Sequence, residues 1–402
     1  MKRVLIGGAI VALGVGLATF TAYSNNPSRR NPVVFSNNVM LAALWHNYKN
    51  NFIEPESGRT LDKQNDNITT SEGQSYSMLR AVYQDDKASF DKSWKFTKSN
   101  LQHKDDHLFG YLYGKRRDGS YGIKTDQGGD HTASDADSDI ALALALAYQR
   151  WQQPSYLAQA KLIISDIWSG EVININNRPV LSADNLERNA ATLVVINPSY
   201  FSPYAYKIFA GIDRSHDWKG LTDNTYDVLS ASMENRLDKD STKQLPPDWM
   251  LMNRKTGEIT AATAGNLTSN FGYDALRVPW RLALDYEWNK DVRAKRVLAQ
   301  MSFLGSEWRN KQLLKATYSH DGAIVNDYES PAMYGAAIGY FMSEAPKDSE
   351  TLFTNKLEAL YSTDTQSWKK PLSYYDDNWA WFGLALKLHQ LPNLGSDLIR
   401  SK

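Results

Sequence analysis

The chain has 402 residues with 45 Lys+Arg against 45 Asp+Glu, so its formal net charge is zero and it carries no basic excess pointing to nucleic acid as a partner. It has no cysteine, which excludes a disulfide framework, and a chain of this length can build its core without one. Twelve Trp, 22 Tyr and 13 Phe furnish the large rings of such a core and leave some to line a binding face.

Lys2 and Arg3 precede an almost uncharged run from Val4 to Tyr23, the order of a secretion signal with cleavage after Ser24. The same run is near the length of a membrane span, so residues 1–24 read as a signal peptide or a membrane anchor, with the tether in residues 4–23. Either way the expected location is secreted or extracellular and membrane-anchored. Residues 25–35, with Asn25, Asn26, Pro27, Arg29 and Arg30, read as a linker, and 36–395 as one domain expected to act as a monomer.

Helical spacing then recurs over 36–52, 71–85, 87–102, 135–151, 154–169, 200–212, 219–236, 272–286, 291–310, 330–342, 348–361 and 376–390. Convincing strands are few. Several neighbouring segments are joined by very short turns, as at Gln153-Pro154 and Asn289-Lys290. About six helical hairpins in one chain predict an all-α (α/α)6 barrel, inner helices alternating with outer ones. Longer loops at 103–132, 171–199, 237–271 and 311–329 are rich in Gly, Asp, Asn and Ser, and loops of that length are commonly functional. In such a barrel they would build a cleft where they enter the inner helices.

Three acidic runs sit at or near predicted helix starts. Ser71-Glu72-Gly73-Gln74 fits a capping box, with Ser71 as N-cap and Gln74 reaching back. Glu72 then lies in the first turn, where the bland reading is an acid that stabilises the helix dipole. A helix N-terminus lowers a carboxyl pKa, whereas a proton donor needs it raised. Only burial or a nearby negative charge reverses the sign, and Asp135 is the candidate neighbour.

Ser134-Asp135-Ala136-Asp137 fits a second capping box and leads into the small-and-aliphatic run 140–147. Asp135, Asp137 and Asp139 begin like a calcium loop, but Ile140 stands at its sixth position and Leu146 at its twelfth, where Gly and Glu are required. Like charges this close are costly unless partnered. In the third run, Phe271 to Arg281, Asp274 and Arg277 are three apart and can pair on a helix. An Asp kept ionised by Arg is suited to take a proton from water, and the bland reading is a local ion pair. Pro279 must lie in the first turn of its helix or kink it. An acid held protonated and a base held charged, among aromatic side chains, would suit hydrolysis of a glycosidic bond. Seven histidines are scattered without a ligand pair, and no metal or organic cofactor is called for.

Taken together, the runs resemble glycoside hydrolase family 8. Ala133 to Trp151 follows that family's signature, with Ala145 where a larger aliphatic or Gly is preferred. Ser71-Glu72-Gly73-Gln74 resembles the segment of the proton donor, and Tyr273-Asp274-Ala275-Leu276-Arg277 that of the base in the subgroup that uses Asp. Asn197-Pro198-Ser199-Tyr200-Phe201 and Tyr374-Tyr375-Asp376 also resemble family segments. The resemblance implies an (α/α)6 barrel and inversion at the anomeric carbon. It makes Glu72 the general acid, Asp274 the general base and Asp135 the residue that grips the sugar next to the cut bond. Tyr200 would place the attacking water, Arg277 would support Asp274, and Tyr76, Tyr111, Tyr113 and Tyr273 would face the sugar. The implied substrate is a β-1,4-linked polysaccharide, cellulose-type glucan first, with chitosan, mixed-linkage glucan or xylan as alternatives. A surface glycan-binding protein on the same barrel is the rival of another class.

Overall fold

The computed structural model describes residues 39–400, and the expected signal, anchor and linker segments lie outside them. The described helices are α1 (Val39–Phe52), α2 (Ser71–Tyr83), α3 (Lys87–Asn100), α4 (Ser134–Trp151), α5 (Pro154–Gly170), α6 (Pro203–Ile212), α7 (Trp218–Glu234), α8 (Arg277–Asn289), α9 (Val292–Gln300), α10 (Ser302–Lys311), α11 (Pro331–Glu344), α12 (Pro346–Leu352), α13 (Tyr374–Lys387) and α14 (Ser396–Arg400).

Burial sorts them into two rings. α5 buries only Tyr156, Ala160, Ile163, Ile164 and Ile167, one stripe at helical spacing, as expected of a helix with one face to water. In α4 every residue from Ser134 to Ala147 is buried, and in α11 every residue from Ala332 to Phe341. Helices covered all round belong inside. α2, α4, α6, α8, α11 and α13 form the inner ring, and α3, α5, α7, α9–α10, α12 and α1 pack outside. This is the expected (α/α)6 barrel. Its sixth pair joins the two ends of the described chain, α13 with α1, and Trp381 Nε1 donates to Leu41 O at 3.0 Å across it.

Small residues let inner helices touch. A Cβ on Gly335 of α11 would stand 2.0 Å from Trp379 O, and one on Gly383 of α13 2.3 Å from Gly335 O, so neither position tolerates a side chain. The ring closes between α13 and α2 through a buried ion pair, Arg80 Nη1 to Asp377 Oδ1 at 3.0 Å.

Several boundaries differ from the periodic reading. The segment 291–310 breaks at Met301 into α9 and α10. The segment 272–286 becomes helical only at Arg277, and 200–212 only at Pro203 after a 3-10 turn at Pro198–Tyr200. The long loops carry antiparallel strands of two to four residues, too short for alternation to show in sequence. Two of these sheets set up the cleft. In one, β1 (Thr69–Thr70) pairs with β2 (Leu112–Lys115), which pairs with β3 (Tyr121–Ile123), fixing the chain just before Glu72. After the hairpin of β4 (Val172–Ile175) and β5 (Arg178–Leu181) comes β6 (Leu193–Ile196), paired with β7 (Met250–Asn253), itself paired with β8 (Ile259–Ala261). Ile196 opposite Met250 brings the Asn197–Tyr200 turn beside Asp248 and Trp249.

Candidate active site

Both predicted caps are displaced by one residue. Thr70, not Ser71, caps α2, its Oγ1 accepting from Gly73 N at 3.0 Å. Gln74 does not reach back. It accepts from Thr60 N at 2.6 Å and donates to Thr97 Oγ1 at 3.0 Å, tying the loop before α2 to α3. At α4 the N-cap is Ala133 with no side-chain bond, and Ser134 donates to Ser182 O. Buried long-range partners draw Gln74 and Ser134 away from the local box, while at α2 the neighbouring Thr70 takes the cap.

The sequence-predicted acids converge on one guanidinium. Arg277, fully buried at the start of α8, donates from Nη1 to Glu72 Oε2 and to Asp135 Oδ2, both at 2.8 Å. Its Nη2 donates to Asp274 Oδ1 at 2.6 Å and to Ser199 Oγ at 2.8 Å. Arg277 therefore serves all three carboxylates, where the sequence had assigned it to Asp274 alone. Burial opposes its charge, and Tyr76, Asp135, Tyr375 and Asp274 around it more than compensate, raising its pKa well above the ordinary value. Since Glu72 and Asp274 sit on the two terminal nitrogens of one planar group, their nearest oxygens are at most about 8 Å apart.

The acids of the second run each have their own partner, which answers the cost of crowding them. Asp135 pairs with Arg277, and Asp139, one turn on, pairs through both oxygens with Arg281, one turn on in α8, at 3.0 and 2.8 Å. Asp137, between them, accepts from Phe109 N at 3.0 Å. Two stacked Arg–Asp pairs thus lock α4 to α8 beneath the cleft.

Burial lifts the Glu72 carboxyl to about 7, against Arg277 and with help from the charge of Asp135. Asp135 is a real but secondary contributor to this shift, and desolvation leads. Glu72 is still 23% exposed at its side chain, open enough to meet a ligand. Tyr374, at the start of α13, donates to Glu72 Oε1 at 3.0 Å. Gly73 leaves it room, since a Cβ there would stand 3.0 Å from the Tyr374 hydroxyl. On the opposite side Trp249 Nε1 donates to Asp274 Oδ2 at 3.1 Å, and the Asp274 side chain is 30% exposed.

The predicted aromatic residues divide. Tyr200 packs its ring on the Arg277 guanidinium, 5.2 Å from the centroid, and edge-on to Trp249. The Tyr76 ring is buried against Trp379 and Phe382, and its hydroxyl accepts from Arg277 at 3.4 Å. Tyr273 is 39% exposed and shares a 2.7 Å hydrogen bond with Tyr328 beside Tyr375, an aromatic cluster next to the base. Tyr111 is half-buried, its hydroxyl donating to Gln127 O. Tyr113 does not present a free ring. It is buried against Phe96 and beneath Arg59, because its strand position points into the core. Sequence reasoning missed Asp248 and Trp249, and assigned no role to Ser199 or Tyr374. The only available signal for the first two was an acid beside a Trp in a long loop, at Pro246-Pro247-Asp248-Trp249.

Among the described residues no group of three His, Cys, Asp or Glu is arranged to hold a metal ion. At the centre of the three carboxylates stands the Arg277 guanidinium.

Residues 22–345 match the family model described as Glycosyl hydrolases family 8. The chain belongs to this family. A probable endoglucanase of Novacetimonas hansenii is 31% identical over 241 residues, 60% of this chain and 66% of that protein. Endoglucanase A of Acetivibrio thermocellus is 27% identical over 300 residues, 72% of this chain and 56% of that protein. The matched region thus spans less than two thirds of these relatives' own length. The solved endo-beta-1,4-glucanase CMCax of Acetobacter xylinum superposes with a TM-score of 0.70 at 24% identity, over 87% of this chain and 98% of that one, a likeness of fold.

Proposed function

We propose that this family 8 member is an inverting, endo-acting hydrolase of β-1,4-linked polysaccharide, with cellulose-type β-glucan as its first substrate. The observation that carries the proposal is the pair of carboxyls divided over one guanidinium, with Glu72 raised to about 7 by burial and Asp274 salt-bridged at 2.6 Å. Glu72 gives its proton to the glycosidic oxygen as the C1–O bond breaks. A water attacks C1 from the opposite face and loses a proton to Asp274. A separation of at most about 8 Å admits both the gap of about 6.5–9.5 Å that holds this water in inverting enzymes and the gap of about 5–5.5 Å in retaining ones, so inversion rests on the family resemblance and is decided by the anomer of the product. Asp135 grips the sugar at the cut bond, Tyr200 places the water, and Arg277 orients the acids. The names of the endoglucanase relatives support the choice of glucan.

The test is reducing-sugar release from cellulose-type glucan, mixed-linkage glucan, xylan and chitosan, with NMR of the fresh product. Release from glucan with the α-anomer appearing first is expected. The β-anomer first would mean retention, and binding without release would mean a glycan-binding protein. We also propose that the enzyme works outside the cytoplasm as a monomer, secreted or tethered through residues 4–23. The charged-then-apolar order of the N-terminus supports the location; cell fractionation tests the location and gel filtration the monomer.

A further inference from the structure

Asp248 is a buried acid that the mechanism above does not use. It lies two residues before β7, with Trp249 between, in the loop that crosses to the base. Its Oδ1 accepts three backbone N–H groups of the turn carrying Asp274: Gly272 at 3.1 Å, Asp274 itself at 3.1 Å and Ala275 at 2.7 Å. The approach is close enough that a Cβ on Gly272 would stand 2.7 Å from Asp248 Oδ2. The next residue, Trp249, holds the Asp274 side chain through Nε1. Asp274 lies outside α8, so no helix fixes its backbone. The donors that a regular helix start would leave to a cap are gathered here by an acid from another element.

We propose that Asp248 is the positioning residue of the general base, with Asp248 gripping the backbone of the 272–275 turn and Trp249 the carboxylate. The inference rests on the reading of Asp274 as base. It follows that Asp248 acts only through Asp274. Misplacing a reacting group by about 1 Å costs on the order of 100-fold in rate, so releasing the turn strikes turnover more than substrate affinity. Burial, then the charge of Asp274, raises the Asp248 carboxyl to about 8, so near neutral pH it serves as an acceptor without adding charge beside the base. Asn offers the same acceptor oxygen.

The test is a set of variants of the full-length enzyme: Asp248→Ala, Asp248→Asn, Asp274→Asn, Trp249→Phe and the double changes Asp248→Ala/Asp274→Asn and Trp249→Phe/Asp274→Asn. Asp248→Ala is expected to lower kcat roughly 10- to 100-fold with KM within about threefold, and Asp248→Asn to restore most of the loss. In the Asp274→Asn background, Asp248→Ala should cost nothing further. A loss that multiplies in that background, full activity of Asp248→Ala per folded molecule, or an Asn variant as poor as Ala would each overturn the inference. If Asp248→Ala does not fold, Trp249→Phe and Asp248→Asn decide: Trp249→Phe should lower kcat and leave the Asp274→Asn residual activity unchanged, and a further loss there refutes the paired grip. Near-normal turnover by Asp274→Asn alone would instead refute the assignment of the base.

Discussion

Arg277 Nη1 lies 2.8 Å from Glu72 Oε2, although 205 positions separate the two in the chain. A guanidinium this near favours the ionised carboxylate, and so does the start of a helix. Desolvation outweighs both, and the charges of Asp135 and Asp274 add to it, so Glu72 remains a proton donor near neutral pH. The same arginine therefore orients the acid without stripping its proton.

Glu72→Gln should preserve the fold and abolish nearly all hydrolysis of unactivated polysaccharide. Arg277 donates to Oε2 and Tyr374 to Oε1, so Gln keeps one of these acceptors, turns its amide NH2 toward the other partner, and has no acidic proton to give. A positioned acid contributes about 10²–10⁴-fold, so kcat should fall by that amount while Tm stays close to wild type. Turnover near normal in purified protein would remove Glu72 from its role.

The rate should carry an alkaline limb near 7, because the active form of Glu72 is protonated and its carboxyl is raised to about 7. The groups facing it are Arg277, Asp135, Tyr374 and Asp274. Asp135→Asn removes a charge that raises Glu72, so the limb should move to lower pH, with lower turnover and little change in Tm. A kcat/KM profile and a melting curve on one preparation check this. Lost stability with activity per folded molecule intact would make Asp135 a purely structural residue.

Asp137 and Glu171 are both fully buried and each adds negative charge to the other's surroundings, and Asp137 Oδ2 and Glu171 Oε2 have no hydrogen-bond partner, so a proton shared between the two carboxyls is the expected state. Burial, then the neighbouring Glu171, pushes Asp137 well up, and burial lifts Glu171 to about 7, with Asp106, Asp184, Asp135 and Thr132 nearby. Folded pKa values raised above the unfolded ones mean stability present at acid pH and lost as pH rises through about 7. For Glu171 the loss should approach roughly 1.4 kcal/mol per pH unit between the ordinary carboxyl value and about 7, and level off above that point. Glu171→Gln supplies a permanent donor and should flatten this slope in urea unfolding from pH 5 to 9. An unchanged slope would rule out the shared proton.

Asp377→Ala should destabilise the barrel by about 3–5 kcal/mol, since it strands the buried Arg80 charge that closes α13 against α2. Urea unfolding of the variant measures it. A cost below about 1 kcal/mol would place the pair among weak surface bridges.

The helices were legible because their signal is local: apolar residues three and four apart mark one face, and 291–310 misled only where a single residue, Met301, breaks the turn. Glu72, Asp135, Asp274, Arg277 and Tyr200 were legible as residue types in runs that resemble a family, and they do meet. Tyr113 was not, because a ring in a three- or four-residue strand gives no sign of which side it faces. The partners lay beyond the reach of sequence. Arg277 finds Asp135 across 142 positions, Asp248 finds Asp274 across 26, and Asp137 is buried beside Glu171 from another element. Whether a carboxyl donates or accepts a proton depends on burial and on charges within a few ångströms, and those distances exist only once the inner helices have closed into a ring.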